Sequence, residues 1–186
     1  MSCDLANGRL EKCKDAVGGI DAVYFINYGD FNPENDVAYV AGTDTIATVA
    51  NVSSLYKYEL KGTNSFDQVI NSSRENGTTF VEQTLTMTLK KQDATTHKSV
   101  KWLAYGRPHI VVKNRNNQFF LMGLEHGAEL TTANVSNGTA MGDLNGYTLT
   151  FVATETLLAN LLDCNNEAGL AGGAGDVFGT ASIVTA

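Results

Sequence analysis

From Phe80 to Leu89 apolar and polar positions alternate, with Val81, Leu85, Met87 and Leu89 on one face and Glu82, Thr84, Thr86 and Thr88 on the other. A period of two means a strand with one side on a core and one on solvent, and this is the longest such run in the chain. Ser54 to Lys61 alternates too, setting Tyr56, Tyr58 and Leu60 against Lys57, Glu59 and Lys61, and Phe66, Gln68 and Ile70 keep the period. The loop Asn71–Gly77 closes on an Asn-Gly pair, a tight-turn signal, so residues 54 to 91 predict a long hairpin arm. Upstream, Ala22–Tyr28 is a short aromatic and β-branched run ended by the turn residues Gly29–Pro33, and Asp36–Val40 and Thr45–Val49 are weaker strands.

The period changes once. Ala94, His97, Val100, Lys101 and Ala104 recur at helical spacing, Asp93 or Thr95 can cap the start, and Gly106 with Pro108 ends it, which predicts a helix over 93–105 with Trp102 buried against a sheet. Ile110–Lys113 and Gln118–Met122 form a hairpin about Asn114–Asn117, and from Gly123 to Phe151 short strands alternate with turns at Gly127, Asn137-Gly138 and Asn145-Gly146. The expected fold is mainly β, a β-sandwich or barrel with long hairpins and one flanking α-helix. The expected domains are an N-terminal arm over 1–20, a single β-rich domain over 21–164 and a Gly/Ala-rich tail over 165–186. So glycine-rich a tail is not expected to pack a core alone; Val177, Phe178, Ile183 and Val184 are expected to anchor it on a neighbouring subunit.

Composition narrows the function. A hydrophobic content of 43% over 186 residues suffices for a core without disulfides or metal. The charged fraction of 18% falls below the roughly 25% of ordinary soluble proteins, leaving neutral polar faces of Thr and Asn. A net charge of −7 argues against a surface that grips nucleic acid, since that affinity comes from Lys and Arg neutralising phosphates. No apolar run reaches membrane-spanning length and the N-terminus lacks a signal-peptide core, so a cytoplasmic origin is expected. Five Asn-x-Ser/Thr triplets, beginning at Asn51, Asn71, Asn76, Asn134 and Asn137, are then turn vocabulary rather than glycosylation sites. Cys3, Cys13 and Cys164 are an odd set best taken as free thiols, with a Cys13–Cys164 bridge as the alternative.

Candidate chemistry is thin. His126 with Glu129 is the best metal or acid–base pair, but a His-x-His partner is missing; Asp143-Leu-Asn145-Gly146 opens like a calcium loop yet lacks its later ligands. His97 and His109 do not cluster with the cysteines, Gly172-Gly173-Ala-Gly175 lacks the lysine of a phosphate loop, and Cys164 has no neighbouring base in sequence. The expectation is no catalytic site, no metal and no cofactor: a structural protein rather than an enzyme.

The element order, strands, a long hairpin arm, one helix and further hairpins over residues 13 to 162, resembles the tail tube proteins of bacteriophages and related contractile injection systems. The run Gly142–Phe151 is similar to sequences among phage virion proteins, as are Cys13-Lys-Asp15, Gly18-Gly19 and the Tyr24-Phe25 strand. The resemblance implies a β-sandwich whose hairpins roll into a barrel shared by six subunits per ring, with rings stacked into a tube. Its partners would be further copies, other tail proteins and viral DNA passing without tight binding; its place would be the virion tail, after synthesis in the bacterial host cytoplasm. Glu82, Thr84, Thr86 and Thr88 would line the channel, a surface poor at holding phosphate. Two other classes stay open: a head-decoration or other virion β-protein, and a carbohydrate-binding β-sandwich using Tyr56 and Tyr58.

Overall fold

The computed structural model describes residues 8–185. In chain order the strands are β1 (Ile20–Ile26), β2 (Val37–Tyr39), β3 (Ile46–Val49), β4 (Ser54–Glu59), β5 (Ser65–Ser73) and β6 (Thr78–Lys90). The helix α1 (Ala94–Leu103) follows, then β7 (His109–Asn114), β8 (Phe119–Met122), β9 (Glu129–Ser136), β10 (Gly146–Glu155), β11 (Asn160–Leu161) and β12 (Ser182–Val184). No helix among the described residues is long and apolar enough to cross a membrane.

Only Asp21 of β1 is exposed, because this strand lies at the middle of a six-stranded sheet covered on both faces, in the order β11-β8-β7-β1-β4-β12. An unbroken apolar run is what such a position requires. Ala22, Tyr24 and Ile26 enter one core with Leu55, Val111, Phe119 and Leu121, and Val23 and Phe25 enter a second with Ile110, Val112 and Met122. The first core is covered by the two-stranded sheet β2-β3, through Ile46 and Val49, and by the C-terminal segment. The second is covered by a four-stranded antiparallel sheet, β5-β6-β10-β9, in which Leu85 stands opposite Phe151 and Met87 opposite Leu149. The result is a sandwich with a third, partial layer; none of its sheets closes into a barrel.

Several expectations are corrected here. The arm over 54–91 is not one hairpin: β4 belongs to the six-stranded sheet, and the chain crosses at Gly62–Asn64 to begin the β5–β6 hairpin of the other sheet. The crossing is pinned by Asn64, whose side-chain Oδ1 accepts from the Thr88 N–H at 2.8 Å. The helix starts where expected, with the Asp93 carboxylate accepting from the Thr96 N–H at 2.7 Å. Trp102, however, is 70% exposed, because Val100 and Leu103 take the inward face and a residue two positions past Val100 lies about 200° round the helix.

The largest correction concerns the tail. Val177 and Phe178 are buried in the subunit's own first core with Leu170, Ala171 and Ala181; Ile183 packs against that core, while β12 pairs in parallel with β4 and leaves Val184 partly exposed. Val177, Phe178 and Ile183 therefore serve this chain rather than a neighbour, whereas the Val184 side chain stays exposed, and the stretch over 165–184 completes the domain. Glycines make this possible: Gly172, Gly175 and Gly179 all have positive φ, letting the chain fold back so that Phe178 N donates to Leu170 O at 2.8 Å and Gly172 N to Gly179 O at 2.9 Å. Val49 N donates to Val177 O at 2.7 Å, and the Lys57 ammonium reaches Glu167 at 2.9 Å, which raises the lysine's pKa. Lys57, assigned by periodicity to an outer face, instead lies on the face of β4 that carries the buried Leu55, opposite Tyr24 of the first core, where Glu167 is its partner.

Replacing Phe178 with Ala should cost about 3–5 kcal/mol, the usual range for emptying a buried aromatic site. Urea denaturation would measure it, and a chain ending at residue 164 should fail to fold.

Candidate functional site

The outer face of the four-stranded sheet is open, and β6 sets its character. Glu82 is exposed and Thr84, Thr86 and Thr88 are half-exposed on it. Pairing continues the same chemistry sideways. Thr88, Thr86 and Glu82 stand opposite Thr148, Thr150 and Thr154 of β10; Thr150 and Thr148 in turn face Thr132 and Asn134 of β9. On the other side Ser65 and Asp67 of β5 face Thr86 and Thr84. Threonine suits these positions because its branched Cβ favours a strand while its hydroxyl stays hydrated. Across the positions paired with Glu82 to Thr88, the charged groups are the carboxylates of Glu82, Asp67 and Glu129. Glu82, Thr84, Thr86 and Thr88 therefore share one hydroxyl-rich surface whose paired centre carries no cation, with Lys90 at the end of β6 and Arg107 and His126 beside Val152 and Thr154 at its margin.

Among the described residues both edges of this sheet lack a strand partner: β5, nine residues, pairs with β6 alone, and β9, eight residues, with β10 alone. A bulge in β9, where Thr131 Oγ1 donates to Thr150 O at 3.1 Å, locally increases its twist. Val69, Ile70 and Phe80 are exposed where the β5–β6 hairpin runs past the core.

Sequence reasoning passed over Gln83, which breaks the apolar face of β6. It is 1% exposed; its Oε1 accepts from Gly123 N at 3.0 Å and its Nε2 donates to Leu157 O at 3.2 Å. The signal available was a glutamine at an inward position of an alternating strand, which only makes sense with buried partners. Glu155 was missed as well. At 4% exposure it accepts from the backbone N–H groups of Glu125 and His126, at 3.2 and 2.9 Å, and lies 3.2 Å from His126 Nδ1. His126 thus pairs with Glu155 rather than with Glu129, and ligand atoms of Glu125, His126 and Glu155 lie within 4.8 Å of one another. These three could approach a metal, but the Glu155 oxygens already serve the loop's N–H groups.

The remaining candidates have local roles. Asp143 accepts from the N–H groups of Thr139 and Ala140 at 2.8 Å each, bonds that hold its carboxyl below the usual range. Gly138 next to it has φ +70°, and a Cβ there would lie 2.6 Å from Asp143 Cβ, so the Asn137-Gly138 turn admits glycine. The Cys164 thiol is free, half-buried and pushed up to about 12 by burial; Cys13 is free and exposed, and Cys3 lies outside the described residues. His97 sits beside Tyr147, and His109 is buried between Tyr28 and Phe31. Tyr56, Tyr58 and the exposed Trp102 border a cleft of about 460 Å³ between α1 and the six-stranded sheet. No family model, no curated protein and no solved structure matches the chain.

Gln83→Met keeps the volume but strands the buried Gly123 N–H, worth about 1–3 kcal/mol when unpaired, while the Leu157 carbonyl, on an exposed residue, can turn to water. The variant should therefore lose at least about 1 kcal/mol in urea denaturation, whereas Thr86→Ser on the same strand's outer face should shift stability by no more than about 0.5 kcal/mol.

Proposed function

We propose that the chain is the ring-forming subunit of a bacteriophage tail tube, stacking as hexameric rings into a conduit for viral DNA. The observation that carries this reading is a sheet sealed on one side, rich in hydroxyls and free of cations along the paired centre of the other, with both long edges unpaired among the described residues. Long free edges are a liability in a solitary protein and an asset in an assembling one. If β5 of one copy pairs with β9 of the next, the four-stranded sheets continue round a ring and the threonine faces turn to a common interior. A wall without Lys or Arg along its paired centre, on a chain of net charge −7, would let phosphates slide rather than bind. The other partners in this reading are further tail proteins, and its location is the virion tail.

A second reading, carbohydrate binding, draws on the cleft bordered by Tyr56, Tyr58 and Trp102. Quenching of the single tryptophan by added oligosaccharides, with no assembly, would favour it.

Negative-stain images at high protein concentration should show rings or tubes. A protein that stays monomeric even with tail components supplied would overturn the assembly. Within an assembled tube, Thr84→Lys with Thr86→Lys should leave the subunit within about 0.5 kcal/mol of its stability, since both are outer-face positions. DNA ejection should slow, with the delay shrinking as salt rises. An unchanged ejection rate would remove this face from the channel.

A further inference from the structure

The two ends of β1 carry complementary features. At its start, the arm over 8–19 is exposed throughout and rooted by Asn116, whose Oδ1 accepts from Val17 N at 3.0 Å and whose Nδ2 donates to Val17 O at 2.9 Å. The arm carries Arg9, Lys12 and Lys14 against Glu11 and Asp15, and the ion pairs among the described residues all lie elsewhere. At the far end of β1, the loop after Ile26 forms a cleft of about 380 Å³ bordered by Asp30, Asp36 and Glu125, with Asn32, Asn51 and His109 and no Lys or Arg. Arg107, 4.8 Å from the Tyr28 ring centroid, is not part of its lining.

His109 gives the cleft a demand of its own. The residue is 1% exposed, held between the rings of Tyr28 and Phe31. Its Nδ1 lies 2.5 Å from the Gly123 carbonyl oxygen, which can only accept, so the proton sits on Nδ1 and Nε2 is left as an acceptor. No hydrogen bond among the described residues reaches Nε2, although the ring borders the cleft. Burial lowers the imidazole's pKa and keeps it neutral. Three carboxylates and an imidazole lone pair ask for a ligand that only donates, which a guanidinium or ammonium does.

We propose that this cleft receives the N-terminal arm of a second copy, through the cationic groups of Arg9, Lys12 and Lys14. The register of β1 on β7 pairs Ile20 with Asn114 and Ile26 with His109, placing the arm's root and the cleft at opposite ends of one strand, about 20 Å apart. Residues 8–17 extend to at most about 35 Å, enough to leave one copy and enter the next. A donor at one end and a receiver at the other make a head-to-tail contact, which repeats without closing. The inference rests on the stacked-ring reading for its setting and supplies that reading's contact between rings.

A fluorescein-labelled synthetic peptide of residues 8–17, titrated with the full chain at low salt and followed by anisotropy, tests the contact directly. Saturable binding is expected, weakening about ten-fold for the double variant Asp30→Asn, Glu125→Gln, and equally for a peptide with Gln at positions 9, 12 and 14. Asp36 is left intact because it holds Asn32 N and Asn51 Nδ2 at 2.7 Å each; an unchanged urea midpoint confirms that the variant is folded. Absent binding, or binding indifferent to both changes, overturns the proposal. In images of assembled material, Arg9→Glu, Lys12→Glu, Lys14→Glu should give single rings in place of stacks. Stacks of unchanged length overturn the arm contact and leave the tube reading standing. Peptide binding by a wild-type chain that forms neither rings nor tubes overturns the tube reading alone.

Discussion

The fold depends on β1 being apolar on both sides. Tyr24 and Ile26 on one face and Val23 and Phe25 on the other are all essentially buried, so the strand must be covered twice. The four-stranded sheet supplies one cover. The other is made by β2-β3 and by the stretch over 165–184, a segment whose glycines would suit a flexible tail were it not for the apolar surface beneath it. With both faces of the central sheet consumed, the outer face of the four-stranded sheet is the broad β surface left open, and it is there that the threonines collect.

Apart from the Tyr24 hydroxyl, which has no partner among the described residues, the buried polar side chains bind backbone rather than one another. Gln83 ties β6 to Gly123 and Leu157, Glu155 holds the N–H groups of Glu125 and His126, Asn64 accepts from Thr88 N, and Asn160 donates to Asp44 O at 2.8 Å. Each such bond fixes a loop against a strand, and a buried group so paired avoids the cost of an unpaired one. The loop over 123–128, held by both Gln83 and Glu155, in turn presents the Gly123 carbonyl that sets the tautomer of His109. One chain of bonds thus runs from the inner side of the threonine sheet to the acidic cleft at the end of β1.

Charge is distributed with the same economy. The paired centre of the open sheet carries carboxylates and hydroxyls with Lys90 and Arg107 at its margins, the cleft carries carboxylates, and the exposed arm carries three cations at the other end of β1. In the proposed assembly such an arrangement would favour contact between copies along the direction of β1.

The sequence by itself determined β1 to β10 in outline, the helix with a cap at Asp93 or Thr95, the hairpin of β7 and β8, and the two-sidedness of β6, because these follow from periods of two or 3.6 and from turn residues, all local quantities; β11 and β12 carry no such pattern. It placed Glu82, Thr84, Thr86 and Thr88 on one face for the same reason. Only the tertiary structure decided that β4 leaves the β5–β6 hairpin for another sheet, that Trp102 faces solvent while Phe178 does not, and that Glu155 rather than Glu129 meets His126. Those outcomes turn on which surfaces are left to cover once the sheets have packed. Val177 and Phe178 are buried because β1 needs a second cover, a demand created about 150 residues earlier in the chain that no local pattern around them can express.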